Sequence, residues 1–296
     1  MRTKEQFDND RKGSIGSSEI ASIMGLSGYR TPYDVWEVKT GRKAEFQGNE
    51  ATRRGQLLES AIGRWAQEEM GVSLVYPDTT YRIGHCSATP DYTYKNGIVE
   101  IKTTRMAVKD DDIPHGWFMQ AQYQAAVMNR ISMPVHQITI AWLGFGLEFG
   151  MASFEVDSKF GDYLINFAND WWQSHVIADV PPAAKTGEDV QRMYPKHIDG
   201  KTVFATDETV ELWQRAVQLK SDLKTTETEL EELKEQFKLI LGNAERLEYA
   251  GEILATWKAS KPVSRFDAKT FQVEYPDLYK SYLKEGAPVR SLLLKG

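Results

Sequence analysis

The stretch Thr93-Tyr94-Lys95-Asn96-Gly97-Ile98-Val99 constrains the fold more than any other part of the chain. Asn-Gly accepts positive φ at both positions, which makes it a strong two-residue hairpin signal. With Lys95 set against Ile98, Tyr94 faces Val99, Thr93 faces Glu100, Tyr92 faces Ile101 and Asp91 faces Lys102. Side chains alternate along a strand, so Asp91, Thr93, Glu100 and Lys102 share one face of the hairpin. Tyr92, Val99 and Ile101 share the other, which suits a core. The polar face holds two carboxylates as diagonal neighbours with an ammonium beside them. Like charges held close cost free energy unless something positive lies between them. Two readings follow: an ion network on an exposed strand, or a site for one hard cation bound through oxygen. In the second, Lys102 supports negative charge as it develops. The small polar flanks, Ser87-Ala88-Thr89-Pro90 and Thr103-Thr104, leave this face open and favour the site.

The surroundings of the hairpin read as alternating strands and helices. "GSSEIASIMGL" reads as a short helix that Ser17 or Ser18 caps and Gly25 ends. "ATRRGQLLESAIGRWAQEEMG" reads as a longer amphipathic helix, with Leu58, Ile62, Trp65 and Met70 near one face and Gly71 as its stop. "HGWFMQAQYQAAVMNR" and "FGDYLINFANDWWQSHV" are helical, and "HQITIAWLG" and "LEFGMASFEV" form a strand pair. The fold class is therefore α/β or mixed α+β, a sheet with helices packed on it. A first domain is expected over residues 1–180, a Pro- and Ala-containing linker over 181–205 and an extension over 206–296. In the extension, Leu212, Ala216, Leu219, Leu223, Thr226, Leu230, Leu233, Phe237 and Ile240 alternate spacings of four and three. That is a heptad seam, which calls for another helix, the body of the protein or a partner. A hairpin, two short helices and a last strand in "PVRSLLLKG" are expected after it.

Composition narrows the function. A net charge of −6 excludes a uniformly basic nucleic-acid binder, though not a local basic groove. The single cysteine, Cys86, allows no internal disulfide and no cysteine-based zinc site, as expected in a reducing cytosol. The five histidines show no zinc spacing, and only His115, beside the glutamine-rich helix, attracts interest. No apolar run is long enough for a membrane span, and the N-terminus reads as lacking a signal peptide.

Pro90-Asp91, eight residues, then Glu100-Ile101-Lys102 fits the PD-(D/E)xK pattern of metal-dependent nucleases. Around it stand "RKGSIGSSEIASIMG", "RRGQLLES" with Glu59, and "MQAQYQ" with Gln120 and Gln122. These four motifs, in this order over about residues 7 to 175, resemble the YqaJ-type phage recombinases, whose best-known relative is lambda exonuclease. The resemblance implies a restriction-endonuclease-like core and assigns roles. Asp91, Glu100 and the backbone carbonyl of Ile101 hold Mg²⁺, with Mn²⁺ as an alternative. Lys102 meets the attacking water or the scissile phosphate. Glu59 helps to organise the metals or their waters. Of the two glutamines, which lie on different helix faces, Gln120 points at the metals. Gln124 reads as solvated. Arg11, Ser18 and Thr89 match a pocket for the 5′-phosphate of a DNA end, at a serine-capped helix start whose free N–H groups favour an anion. Arg30, Arg54, Arg105, Lys109 and Gln122 are further DNA-contact candidates.

The expected activity is 5′→3′ digestion of one strand of linear double-stranded DNA, leaving a 3′ overhang. The resemblance also implies a single-strand annealing protein as partner, a ring-shaped homotrimer, and a phage or prophage protein in the bacterial cytoplasm. Two other classes compete: an endonuclease of the same superfamily, and a non-catalytic DNA-binding or assembly protein that works through its heptad tail.

Overall fold

The computed structural model describes residues 12–284, 286 and 290–295 of the 296. The chain divides into two compact units, Met1–Met193 and Tyr194–Gly296.

The first unit is built on a four-stranded sheet. Its strands are β4 (Tyr92–Tyr94), β5 (Gly97–Thr103), β6 (Gln137–Leu143) and β7 (Phe149–Glu155), in that spatial order. β5 and β6 run parallel and the outer pairs antiparallel. The parallel step needs a crossover. Helix α4 (His115–Arg130) supplies it, lying between β5 and β6 in the chain. A second, three-stranded sheet sets β1 (Ile15–Gly16) parallel to β3 (Cys86–Ala88), with β2 (Tyr81–Ile83) antiparallel on the far side of β3. The N-terminal segment is thus stitched to the chain that leads directly into Asp91.

Each sheet face has its own helix, because β5 alternates. Val99 and Ile101 pack with Ile62 and Ala66 of α3 (Glu50–Met70). Ile98 packs on the opposite side with Ala121 and Ala125 of α4. The ends of α3 follow from local chemistry. The Asn49 side chain accepts from the Thr52 N–H, and Gly71 adopts a left-handed conformation that its lack of a Cβ makes inexpensive. Trp65 is more exposed than a core residue but stacks on Phe149, with centroids 4.6 Å apart. Within the sheet, Gly150 lies across from Trp142, whose buried ring fills the space a side chain would take. A Cβ on Gly150 would come 2.3 Å from that ring. Gly150→Ala is therefore expected to destabilise the first unit by ~1–3 kcal/mol through overpacking, read from the urea midpoint.

The remaining helices of this unit are α1 (Ile20–Ile23), α2 (Pro32–Lys39), α5 (Ser158–Trp171), which continues as a π-helical turn to Ile177, and α6 (Gly187–Met193). Helix α6 corrects the expected linker at 181–205. Arg192 bonds to Asp34 (2.7 Å), Glu37 (2.9 Å) and the buried Asp189 (2.6 Å), and lies over the Tyr33 ring. Burial opposes ionisation of Asp189, yet the backbone N–H of Lys185, the Arg192 guanidinium and the Thr31 hydroxyl hold its carboxyl below the usual range. These contacts tie residues 187–193 into the first unit.

The second unit carries α7 (Asp207–Leu241), a 35-residue helix capped by Thr206. A hairpin of β8 (Arg246–Tyr249) and β9 (Glu252–Thr256) follows, then α8 (Ala268–Glu274) and α9 (Pro276–Ser281), as expected. Among the described residues the seam of this helix is largely left open. Leu212 is 73% exposed and Leu223 59%, and Leu241 is the one buried side chain among the described residues of this helix. At the polar seam position, the Thr226 hydroxyl bonds back to the Asp222 carbonyl on its own helix (2.9 Å). The expected last strand lies partly outside the described residues, and Arg290–Lys295 form none.

Candidate active site

The hairpin forms with a different register from the one its sequence suggests. Tyr92 pairs with Val99, Thr93 with Ile98 and Tyr94 with Gly97. The two loop residues are Lys95 and Asn96, and Asn96 takes the positive φ of 61°. Gly97 opens β5 because the Tyr94 ring lies over it. A Cβ there would sit 2.2 Å from that ring. Gly97 also begins the ladder to β6, opposite Gln137. Each strand shifts by one residue, so the sums of paired numbers change by two and the faces are unchanged. Asp91, one step beyond the ladder, now comes directly across from Glu100 rather than diagonal to it. β4 begins at Tyr92, and just before it the Asp91 Oδ2 accepts the Ile101 N–H at 2.7 Å, continuing the edge pairing with a side chain.

Helix α4 then closes over this face. Glu100 is only 3% exposed, and both of its oxygens are engaged. Oε1 receives the Lys102 ammonium at 2.7 Å and the Gln120 amide at 2.5 Å, while Oε2 receives the Gln124 amide at 2.7 Å. Gln120 also accepts from Lys102 through its own Oε1 (2.9 Å), so Glu100, Lys102 and Gln120 form a closed triangle. Tyr123, from the same helix, donates to the Ile15 carbonyl at 3.1 Å. Gln122 faces away. It is buried and bonds to the Glu155 carbonyl and the Asp157 N–H, both at 3.0 Å. The DNA contact expected of Gln122 is therefore corrected, because its amide is already spent on β7 and the start of α5. The expectation that Gln124 is solvated is corrected too. Its spacing of four from Gln120, which places both on one helix face, was the available signal.

The electrostatics record the crowding of acids. Burial raises the Asp91 carboxyl well above its ordinary range, and Glu100 and Glu59 add to the rise, with Lys102 and the Ile101 N–H acting against it. Burial and then Glu100 also raise Glu59. Glu59 therefore lies in the field of the pair. It is not one of three convergent ligands, since no group of three or more His, Cys, Asp or Glu comes together among the described residues. It stands on α3, whose buried stripe faces the apolar side of β5. The donor set left is two carboxylates and backbone oxygen. That suits Mg²⁺, which takes one or two carboxylates and keeps several waters, better than an all-protein cage.

The N-terminal motif departs from its expected form. Gly16, not a serine, stands at the helix start, and the Glu19 carboxylate accepts the Gly16 N–H at 2.9 Å. The helical pieces are one three-residue turn, Ser17–Glu19, and α1, so no serine caps a helix start here. Ser18 is exposed and Ser17 buried. The Thr89 hydroxyl pairs with that of Thr80 at 2.9 Å. Arg11 lies outside the described residues. Arg30 is drawn to Glu19 (3.6 Å) and Glu45 (3.5 Å), while Arg54, Arg105 and Lys109 are exposed, as is His115. Not anticipated from sequence was the ion pair beneath this motif. Lys39 reaches Glu19 at 2.7 Å, with side chains 0% and 1% exposed.

Residues 6–130 match the family model of the YqaJ-like viral recombinase domain. A protein of Bacillus subtilis (strain 168) named YqaJ, itself described as uncharacterized, is 24% identical over 305 residues, covering 96% of this chain and 92% of its own. Among solved structures, the alkaline exonuclease LHK-Exo from Laribacter hongkongensis superposes with a TM-score of 0.50 at 17% identity, covering 64% of this chain and 97% of its own. The same exonuclease in complex with dAMP matches with a TM-score of 0.47 at 18% identity, with the same coverage. The fold is thus the mixed α+β one of LHK-Exo, sheets flanked by helices.

Proposed function

We propose that the chain, whose residues 6–130 match the model of the YqaJ-like viral recombinase domain, is a metal-dependent 5′→3′ exonuclease acting on ends of linear double-stranded DNA. One observation carries the reading. Asp91, Glu100 and Lys102 meet on one strand face, sheltered by α4 and bonded to Gln120. An exposed surface ion network, the alternative from sequence, would not bury Glu100 or raise Asp91. Asp91, Glu100 and the Ile101 carbonyl would hold Mg²⁺ or Mn²⁺, with Glu59 shaping the field around them. Bound there, the ion supplies an acidic water and neutralises charge at the phosphate. Lys102, one-fifth exposed, reaches from Glu100 toward solvent and stabilises negative charge on the phosphate oxygens. Gln120 keeps the Lys102 ammonium aimed. Exposed Arg54, Arg105 and Lys109 offer phosphate contacts along the strand. Thr89, Ser18 and Arg11 belong to the 5′-phosphate side of the proposal, and the ring-shaped homotrimer and the annealing partner remain part of it.

The test uses linear duplex DNA labelled at the 5′ or the 3′ end, with and without a 5′-phosphate, in Mg²⁺, Mn²⁺ or EDTA. Metal-dependent release of 5′-labelled mononucleotide, faster from phosphorylated ends, is the expected result. Cutting of closed circles would instead indicate an endonuclease. A folded chain inert with both metals would leave a non-catalytic DNA-binding protein.

A further inference from the structure

The side chain of Gln124 makes contacts that the roles above do not use. It is 0% exposed, and its Nε2 lies 2.7 Å from Glu100 Oε2, 3.3 Å from the Thr89 carbonyl and 3.3 Å from Ser17 Oγ. These acceptors belong to three separate segments: β5, the approach to Asp91, and the N-terminal turn. An amide nitrogen has two hydrogens, so the two longer contacts share one and the short one goes to the carboxylate. The amide orientation is dictated by charge, since its oxygen turned toward Glu100 would be repelled. That orientation has a consequence. Gln124 Oε1 is buried and has no hydrogen-bond partner. An unmet buried carbonyl destabilises the fold, and a methionine of similar volume would avoid it.

Resting on the function just proposed, we infer that Gln124 is a positioning residue for the cation site. It pins Oε2 of Glu100 in the interior. Oε1, shared with the partly exposed Lys102, is then the oxygen turned toward an incoming cation. The same amide ties Glu100 to the Thr89 backbone, and so fixes the carboxylate relative to the segment that carries Asp91. Groups that hold a metal ligand from behind set its affinity, and their loss weakens metal binding or activity by about 10–100-fold.

The experiment is calorimetric titration of the full chain with Mg²⁺ alone, without DNA, for the wild type, Gln124→Met and Gln122→Met. Gln122 is the control, because it is an equally buried glutamine on the same helix whose amide serves β7 and α5. The expected result is Mg²⁺ binding weakened at least ~10-fold in Gln124→Met. Gln122→Met should keep the wild-type affinity whatever it does to the melting temperature. The half-saturating Mg²⁺ for hydrolysis should rise by the same factor as the dissociation constant. If Gln124→Met does not fold, Gln124→Asn, which withdraws the amide by one methylene, is expected to weaken binding in the same direction. Equal affinity in wild type and the Gln124 variants, or an equal loss in Gln122→Met, overturns the inference alone. A wild type that binds neither Mg²⁺ nor Mn²⁺ overturns the proposed function and the inference with it.

Discussion

Lys102→Ala is expected to slow hydrolysis of a linear duplex by about 10²–10³-fold, the usual loss when one stabilising donor is removed from a developing negative charge. The argument is geometric. Lys102 is held by Glu100 at 2.7 Å and by Gln120 at 2.9 Å, and it is the one ammonium among the described residues in contact with the paired acids. Stability should change little. Glu100 keeps both amide donors, Gln120 and Gln124, when the lysine is truncated. The measurement is a single-turnover rate at saturating Mg²⁺, beside a melting curve. A folded variant within tenfold of wild type would show that Lys102 is not placed where charge develops, and would return the cluster to the ion-network reading.

Glu19→Ala is expected to have the largest effect on stability, about 3–5 kcal/mol, the range for removing one partner of a buried ion pair. Lys39 is fully buried and lies 2.7 Å from the Glu19 carboxylate. Removing Glu19 also takes away the acceptor for the Gly16 N–H, so the turn that opens the serine motif loosens as well. Urea unfolding reads the first effect. The double variant Glu19→Leu/Lys39→Met separates the two, because it removes the buried ammonium as well while still lacking the acceptor. It should recover most of the lost stability, since apolar replacement of a whole buried pair is often close to neutral. A single variant that unfolds within 1 kcal/mol of wild type would mean that Lys39 finds other compensation.

Much of the first unit was legible before any coordinates, for reasons that are local. Gly71 ends α3 in a left-handed conformation, a stop encoded in a single residue. The span His115–Arg130 was readable as one helix because no proline interrupts it and its one glycine, Gly116, falls in the first turn. The division of the hairpin into a polar and an apolar face depends only on strand parity, so it survived the change of register. Asp91, Glu100 and Lys102 therefore stand together as their spacing implied.

What the tertiary structure decided concerns contacts between segments far apart in the chain. The hairpin register is set by Tyr94 folding over Gly97 and by the ladder from Gly97 to Gln137, neither of which the turn dipeptide encodes. The polar residues of α4 divide by what each meets: Gln120 and Gln124 meet Glu100, and Gln122 meets the end of β7. Composition marks all three alike as polar. Lys39 and Glu19, twenty residues apart, are brought together and buried against each other only by folding. The heptad seam of α7 shows the opposite limit. Its period foretold a helix, and helix it is, but period alone does not supply a partner, and the chain leaves those leucines exposed. Local propensity and periodicity are properties of neighbours in sequence. Register, burial of charge and the assignment of a glutamine to a carboxylate depend on which distant segments arrive, and only the folded chain specifies that.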